Sequence, residues 1–220
     1  MKPIDKYKII CFVFKKFCHG QKRIMYRMLP GSYHRHHIKP RSIFPESTDD
    51  KNNIVTIHEY IHYMLHYYLY EYSISEKDDT YKNMKYAITG LETYINNNRS
   101  SNYKIDFSNR KNIISKCDMV IEKWIVDSKK LFYSYKEEYS KYENELETWK
   151  KDFSNAQRKR YSGGNVDRCR KPIKPKIDYK ELLKPLNEIM KVFEEYQIKN
   201  ISDGVVNIDN MSIDSIIKMI

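Results

Sequence analysis

The sequence predicts an α+β protein in which a small hairpin-and-helix core is embedded in a mainly helical chain with a long central helix. Three observations support this prediction. Short runs such as HHI and NIVTI flank a polar loop between residues 33 and 57. Residues 59–72 follow without Gly or Pro, as expected of a helix. Residues 117–149 form a longer stretch without either residue, and apolar side chains recur there at steps of three and four.

The overall composition excludes two classes of protein. Apolar residues make up 40% and charged residues 31% of the chain, which is too apolar for a wholly disordered protein and too polar for a membrane protein. The N-terminal apolar run IICFVF is short and is followed at once by Lys15 and Lys16, so we expect no targeting segment. The four cysteines form no CxxC pair, and we expect free thiols in a reducing cytoplasm.

Positive charge is concentrated in two blocks. Residues 1–45 contain eleven basic residues and one acidic residue, and residues 150–176 contain ten and two. A charge that served only solubility would be spread more evenly, so the clustering indicates a polyanionic partner, with nucleic acid first and an anionic membrane second. A lysine-rich composition inherited from an AT-rich genome is the alternative, and it does not explain the clustering.

Histidines are concentrated in the predicted hairpin and in the helix after it. His36 and His37 are adjacent on the first strand, so their side chains point to opposite faces. His62 and His66 are four residues apart on the helix, so both imidazoles can face a single ion. Hydrolysis of a phosphodiester needs a base that deprotonates water and a cation that neutralises charge on the phosphate. The pattern therefore indicates a metal-dependent nuclease site.

The segments that carry these histidines resemble the HNH, or His-Me finger, endonucleases, especially the small phage and homing-type members. The matching motifs are HHI-x-PR at residues 36–41, the central asparagine at Asn53, and H-x3-H at residues 62–66. The resemblance covers roughly residues 24–95. The joint occurrence of these motifs is more specific than any one of them alone.

The resemblance implies a ββα-metal fold for residues 33–70, with His37 as the general base. It also implies that Asn53 braces the hairpin or supports the base and the metal. The implied metal ligands are His36, His62 and His66. The implied activity is hydrolysis of DNA by a metal-dependent endonuclease, with Mg²⁺ or Mn²⁺ expected first and Zn²⁺ or Ni²⁺ as alternatives. A phage-encoded nuclease of this kind would act in the cytoplasm of its host cell.

The sequence departs from the family pattern at three places. His34 stands where many relatives have Glu, and Ile61 replaces Glu before the final motif histidine. Phe44-Pro45 replaces a glycine pair in the hairpin loop. These changes leave the base and the ligands in place, but they alter the charge around the metal.

A second motif competes for the same helix. His58, Glu59 and His62 satisfy HExxH, the signature of zinc metallopeptidases. In that interpretation both histidines bind zinc and Glu59 is the base. It requires helix through Ile57, where the β-branched run from Ile54 favours strand, and it leaves the basic blocks unexplained. A non-catalytic DNA-binding module with a structural metal is the third alternative.

Basic side chains near the histidines are candidate contacts to the phosphates of DNA. The solvent face of any hairpin carries such charges, but the basic surroundings favour contact with DNA. The candidates are Arg35, Lys39 and Arg41 in the hairpin and Arg158, Lys159 and Arg160 in the second basic block.

The long helix carries an imperfect heptad stripe from Cys117 to Trp149, interrupted at Ser128, Glu138 and Glu145. This stripe predicts packing on a partner helix or on a second subunit, which would make a homodimer. An ordinary amphipathic helix in a monomer is an equal alternative.

Breaks in composition divide the chain into five segments. We also expect helices over residues 81–96 and Leu182–Ile198 and from Ser212 onward, with a loop at residues 96–108. The segments are an N-terminal basic helical segment (1–30), the hairpin core with its following helix (31–96), the long helix (109–150), a basic linker or DNA-contacting extension (151–178) and a C-terminal helical segment (179–220).

Overall fold

The structure is a computed structural model that describes residues 1–40, 50–77, 79, 81–98, 103–161 and 170–199. Helices dominate the described residues, and the strands form two small antiparallel sheets. This confirms the predicted α+β class with a long central helix. The α-helices are α1 (Pro3–Val13), α2 (Lys22–Met28), α3 (Glu59–Ser75), α4 (Tyr81–Asn97), α5 (Arg110–Tyr161), α6 (Tyr179–Leu183) and α7 (Asn187–Glu195). The strands are β1 (Tyr33–His37), β2 (Ile54–His58), β3 (Tyr103–Ile105) and β4 (Gln197–Lys199).

Strands β1 and β2 form the predicted hairpin, and α3 follows β2 without a loop. The antiparallel register sets His36 opposite Val55 and His37 opposite Ile54. Strand β2 ends at His58, whose backbone is extended, and the His58 side chain accepts a hydrogen bond from the backbone amide of Tyr60 at 3.3 Å. His58 is therefore the N-cap of α3, and it satisfies one of the amides that the first turn leaves unpaired.

Glycine at position 31 is required by the packing of that cap. The Nε2 atom of His58 lies 3.3 Å from the carbonyl oxygen of Pro30, so the ring is held against the chain that enters β1. Gly31 has a φ of +143°, and a Cβ there would lie 2.5 Å from His58 Nε2. A side chain at position 31 would displace the capping ring.

Helix α3 lies at the centre of the core, where it packs against α1 and α4. Tyr60 of α3 stacks on Phe193 of α7, with ring centroids 4.0 Å apart. The indole N–H of Trp124, in the buried first half of α5, donates to the carbonyl of Leu182 at 2.7 Å. This hydrogen bond attaches α6 to the long helix.

Helix α1 is fixed to the core by a buried lysine. The Lys6 ammonium lies 2.7 Å from Asp118 and 2.8 Å from Glu122, both on α5, and Lys6 is only 5% exposed. Burial acts to lower the pKa of Lys6, but hydrogen bonds to the two carboxylates outweigh it and the net shift is upward. Tyr68 of α3 also donates to Asp118, at 2.6 Å, so one carboxylate joins three helices.

The long helix has 52 residues, and beyond Ser128 its partly buried face follows the predicted stripe except at the two predicted interruptions. Glu138 and Glu145 are exposed, and Tyr139 and Leu146 take their places on the partly buried face. The predicted positions Leu131, Tyr135, Tyr142 and Trp149 lie on this face.

The second half of α5 contacts a part of the chain that returns beside it. The ammonium of Lys174 lies 5.5 Å from the ring centre of Tyr139, and that of Lys171 lies 5.8 Å from the ring centre of Trp149. Within the part of the chain that the structure describes, the returning segment at residues 170–177 therefore contacts this face at Tyr139 and Trp149. The predicted homodimer through the long helix stays a prediction.

Three predicted boundaries are corrected by the structure. Helix α5 continues to Tyr161, so the start of the predicted basic linker is helical. The predicted helix over Leu182–Ile198 ends at Glu195, and β4 follows it. Strand β4 pairs with β3, which lies in the predicted loop at residues 96–108. Strands of three residues are too short to show an alternating pattern. The helix predicted from Ser212 lies outside the described residues.

Two other expectations can be compared with the described part of the chain. Cys11, Cys18 and Cys117 are free and buried there, as expected, whereas Cys169 lies outside it. Among the described helices none is both long enough and apolar enough to cross a membrane.

The attachment of α6 to α5 can be tested by changing Trp124. We expect Trp124→Phe to lower the free energy of unfolding by about 1–3 kcal/mol, because the buried carbonyl of Leu182 loses its donor. Urea unfolding followed by circular dichroism measures this difference. Tyr133→Phe, at a position that is 69% exposed, is the matched control and should change stability by less than about 0.5 kcal/mol. Equal midpoints for the two variants would contradict the role given to the indole.

Candidate metal centre

Three histidines meet where the hairpin packs against α3. His36 comes from β1, and His62 and His66 come from consecutive turns of α3. One ring nitrogen from each lies within 4.8 Å of the others. Among the described residues, no other group of His, Cys, Asp or Glu side chains has this spacing. The structure thus brings together the three residues predicted to bind a metal.

The spacing of the rings fits a shared cation. The Nε2 atoms of His62 and His66 are 3.0 Å apart. Two imidazole nitrogens that bind one ion at about 2.1 Å are separated by roughly 3.0–3.4 Å, depending on whether the angle is octahedral or tetrahedral. The ring of His36 lies 4.8 Å from that of His62 and 5.2 Å from that of His66, between centroids.

Burial keeps these imidazoles in the neutral form that binds metals. Burial lowers the pKa of His62 to about 2 and that of His66 to about 4. The pKa of His36, which is 2% exposed, is also well below its ordinary value because of burial and the neighbouring imidazoles. At neutral pH each ring therefore has an unprotonated nitrogen with a lone pair.

A fourth histidine, which the sequence analysis treated only as a departure from the family, contacts the group. The Nδ1 atom of His34 lies 3.0 Å from Nδ1 of His62, and the His34 ring packs edge-on against Tyr94 of α4. His34 and His36 share a face of β1 because side chains alternate along a strand. His34 thus occupies the second layer of the centre, where a hydrogen bond can orient a ligand.

Tyr7 of α1 is another contact that the sequence analysis missed. Its hydroxyl oxygen lies 2.9 Å from Nε2 of His36, and the two rings meet edge-on. No local sequence pattern links a tyrosine in the first helix to a strand 29 residues later. The signal available in the sequence was only that Tyr7 falls on the apolar face of a predicted helix.

The predicted base and the predicted asparagine lie at the end of β1. His37 is half-buried, and strand alternation directs its side chain away from His36. Asn53 binds the backbone just beyond: its Oδ1 accepts from the amide of Lys39 at 2.6 Å, and its Nδ2 donates to the carbonyl of Lys39 at 3.0 Å. The side chain of Asn53 therefore braces the chain as it leaves the strand, one of the two roles predicted for it.

The residues of the HExxH motif are not arranged on one helix face. His58 belongs to β2 and caps α3, with its ring directed at Tyr60 and Pro30. His58 is not among the three histidines that could share an ion. Of the two histidines in that motif, His62 alone contributes to the centre.

The predicted DNA-contacting residues fall into two groups. Arg35 and Lys39 are exposed close to the histidines. Arg158 is exposed near the end of α5, 40 residues beyond Asp118 and therefore roughly 60 Å along the helix axis from it. Arg158 is thus remote from the centre. Arg41 and the side chains of Lys159 and Arg160 lie outside the described residues.

Comparison with known proteins identified no relative, so a function can be proposed only from the sequence motifs and the geometry. The sequence matches no protein-family model, and no curated protein or solved structure has significant similarity to it.

The metal centre can be tested by titrating the purified protein with Zn²⁺ and measuring the heat of binding. We expect one site, and we expect His66→Ala to weaken it by more than the roughly 10- to 100-fold that the loss of an outer-shell partner costs, because a ligand is removed. His58→Asn is the matched control, since asparagine also caps helices. Its affinity should equal that of the original protein. Loss of binding in His58→Asn, with binding retained in His66→Ala, would contradict the proposed ligand set.

Proposed function

We propose that this protein is a metal-dependent endonuclease of the HNH type that hydrolyses phosphodiester bonds in DNA. The observation that carries the proposal is the convergence of three imidazoles from a hairpin and the following helix. His37 follows His36 in the chain but lies on the opposite face of β1, and it is half-buried and outside this ligand set. A nuclease of this class needs that combination, because ligand and base must be different groups.

The order of elements supports the same assignment. Strand β1, strand β2 and helix α3 follow one another, which is the arrangement that a ββα-metal core requires. The three motifs that resemble the family fall on these elements: the histidine pair on β1, Asn53 immediately before β2, and the H-x3-H pair on α3.

The donor set favours a transition metal over Mg²⁺. All three candidate ligands are imidazoles, which suit Zn²⁺ or Ni²⁺, whereas Mg²⁺ and Mn²⁺ favour carboxylate, carbonyl and water oxygens. We therefore rank Zn²⁺ and Ni²⁺ above the Mg²⁺ or Mn²⁺ expected from the family resemblance. Three protein ligands leave coordination positions for water or for a phosphate oxygen, as in catalytic rather than structural zinc sites.

Each residue has a distinct role in the proposed reaction. His36, His62 and His66 hold the cation, which when bound neutralises charge on the scissile phosphate and stabilises the leaving oxygen. His37 accepts a proton from the attacking water. Asn53 holds the backbone next to His37, which fixes where that imidazole lies.

Binding of the DNA strand is assigned to the exposed basic residues beside the centre. Arg35 and Lys39 flank the histidine pair along the chain and are exposed, so both can contact phosphates of DNA bound beside the hairpin. Arg158 would contact DNA at a separate stretch, because it lies near the far end of α5.

The zinc metallopeptidase alternative is less well supported by the geometry. That reaction needs His58 and His62 on one helix face with Glu59 between them. His58 is instead extended and caps the helix. We therefore place the peptidase below the nuclease.

The catalytic role of His37 can be tested with supercoiled plasmid and Zn²⁺, Ni²⁺, Mg²⁺ or Mn²⁺. We expect His37→Ala to slow conversion to nicked or linear DNA by about 10²- to 10⁴-fold, the usual contribution of a general base. Zinc affinity should stay unchanged, because His37 is not a ligand. His19→Ala, at an exposed position outside the hairpin, is the control and should cleave normally. A protein that binds zinc and DNA but cleaves none under any metal would instead be the non-catalytic module.

The role of the basic residues can be tested by measuring DNA affinity at several salt concentrations. We expect Arg35→Ala to reduce the slope of log K against log salt by about 1, because one phosphate contact is lost. Lys136→Ala, on the exposed face of α5, should leave the slope unchanged. Equal slopes for Arg35→Ala and the unaltered protein would remove Arg35 from the interface.

A further inference from the structure

The hydroxyl of Tyr7 lies where the direction of its single proton determines which ring nitrogen of His36 is protonated. Tyr7 is 4% exposed. Its oxygen lies 2.8 Å from the carbonyl oxygen of Ile38, 3.3 Å from that of His37 and 2.9 Å from Nε2 of His36. Two of these neighbours can only accept a hydrogen bond, and the third can donate or accept.

Only one distribution of protons makes both short contacts of the hydroxyl attractive. A phenol has one proton to donate. If that proton went to His36 Nε2, the phenol oxygen would face the carbonyl of Ile38 at 2.8 Å with no hydrogen between two acceptors. If the phenol donates to Ile38, with the His37 carbonyl at 3.3 Å as a weaker second acceptor, its lone pairs can accept a proton from Nε2 of His36. The Cys11 thiol beside the hydroxyl can donate or accept, so it does not change this choice.

We propose that Tyr7 is a positioning residue that fixes His36 in the tautomer with the proton on Nε2, so that the lone pair of Nδ1 is presented to the metal. This inference rests on the metal centre of the proposed function and identifies which atom of His36 binds the ion. It also makes α1, outside the hairpin-and-helix core, part of the centre. His62 and His66, by contrast, face each other through Nε2.

The hydrogen bond to Ile38 and burial from water keep the phenol proton of Tyr7 in place. A neutral imidazole has a single N–H, so a proton on Nε2 leaves Nδ1 unprotonated.

The position of Tyr7 is fixed by its neighbours in α1. Lys6 binds two carboxylates on α5, and α1 packs along α3, which carries His62 and His66. The hydroxyl therefore has a defined place relative to both strands and helix. A group that must select one tautomer needs this rigidity, since a mobile hydroxyl could donate to either partner.

The tautomer can be read directly in the metal-free protein. Two-bond ¹⁵N–¹H correlation spectra of the full chain identify Nε2 as the ring nitrogen that couples to both carbon-bound protons, and ¹⁵N shifts report which nitrogen is protonated. His36→Ala assigns the signals. We expect His36 to carry its proton on Nε2, in slow exchange with water. A proton on Nδ1, or rapid interchange between the two nitrogens, would overturn the proposal.

A variant measures what the hydroxyl contributes to metal binding. We expect Tyr7→Phe to weaken Zn²⁺ affinity by about 10- to 100-fold, the usual cost of losing an outer-shell partner, and to abolish slow exchange of the His36 N–H. Tyr33→Phe is the matched control, because it too removes a hydroxyl that donates to a backbone carbonyl, that of Leu29 at 2.8 Å. It should leave zinc affinity unchanged. Equal affinities for both variants and the original protein would overturn the proposal.

The outcomes separate this inference from the proposed function. If the unaltered protein binds Zn²⁺ and cleaves plasmid while Tyr7→Phe changes neither tautomer nor affinity, the role of Tyr7 is wrong and the nuclease stands. If the unaltered protein cleaves nothing, yet binds Zn²⁺ and loses affinity on Tyr7→Phe, Tyr7 is a positioning residue in a non-catalytic metal centre. If Tyr7→Phe does not fold, the spectrum of the unaltered protein decides the tautomer.

Discussion

The antiparallel register between β1 and β2 is the constraint on which the candidate site depends. Side chains alternate along a strand, so a shift of one residue would exchange the positions of His36 and His37 and place the wrong imidazole beside α3. Asn53 secures this register from the side, since its amide group binds both backbone groups of Lys39. The cap at His58 secures the other end, because it starts α3 at the residue after β2 and thereby fixes the height of His62 relative to the strands.

The N-terminal helix stabilises the core and completes the centre with two consecutive residues. Lys6 points to the acidic side chains of α5, and Tyr7 points to His36 on β1. The ammonium of Lys15 donates to the backbone carbonyls of Lys51 and Ile54. Two lysines of the N-terminal basic block are thus bound to the protein itself, so the charge available for DNA is smaller than a count along the sequence suggests. The proposed DNA interface is therefore limited to the exposed residues of the block, such as Arg35.

Local rules predicted that His62 and His66 share a helix face, and the family resemblance selected His36 as the third ligand, but contacts distant in sequence followed from neither. The spacing of His62 and His66 defines a helix face, and the adjacent pair on β1 divides its members between two faces. Tyr7 and His34 reach the centre through packing between separate elements, which no spacing within one element encodes. The same reason hid the pairing of β3 with β4, whose strands of three residues lie far apart in the chain. The stripe of α5 was predicted apart from two positions, where Tyr139 and Leu146 lie on the partly buried face in place of the exposed Glu138 and Glu145.

His62 belongs to both the H-x3-H motif and the HExxH motif, and the structure distinguishes between the two. A peptidase reading needs the residue four positions earlier to be helical, so that both rings lie on one face. The β-branched run before His58 keeps that residue extended, and its ring is used to satisfy the amide of Tyr60. The ligand four positions later, His66, lies within the same helix, and its Nε2 atom faces that of His62. Because α3 begins only after His58, His62 pairs with His66 and not with His58. Together with His36 of β1 they provide three nitrogen donors with no carboxylate among them. Such a set carries no negative charge of its own, so a bound divalent cation would keep its full charge for a phosphate.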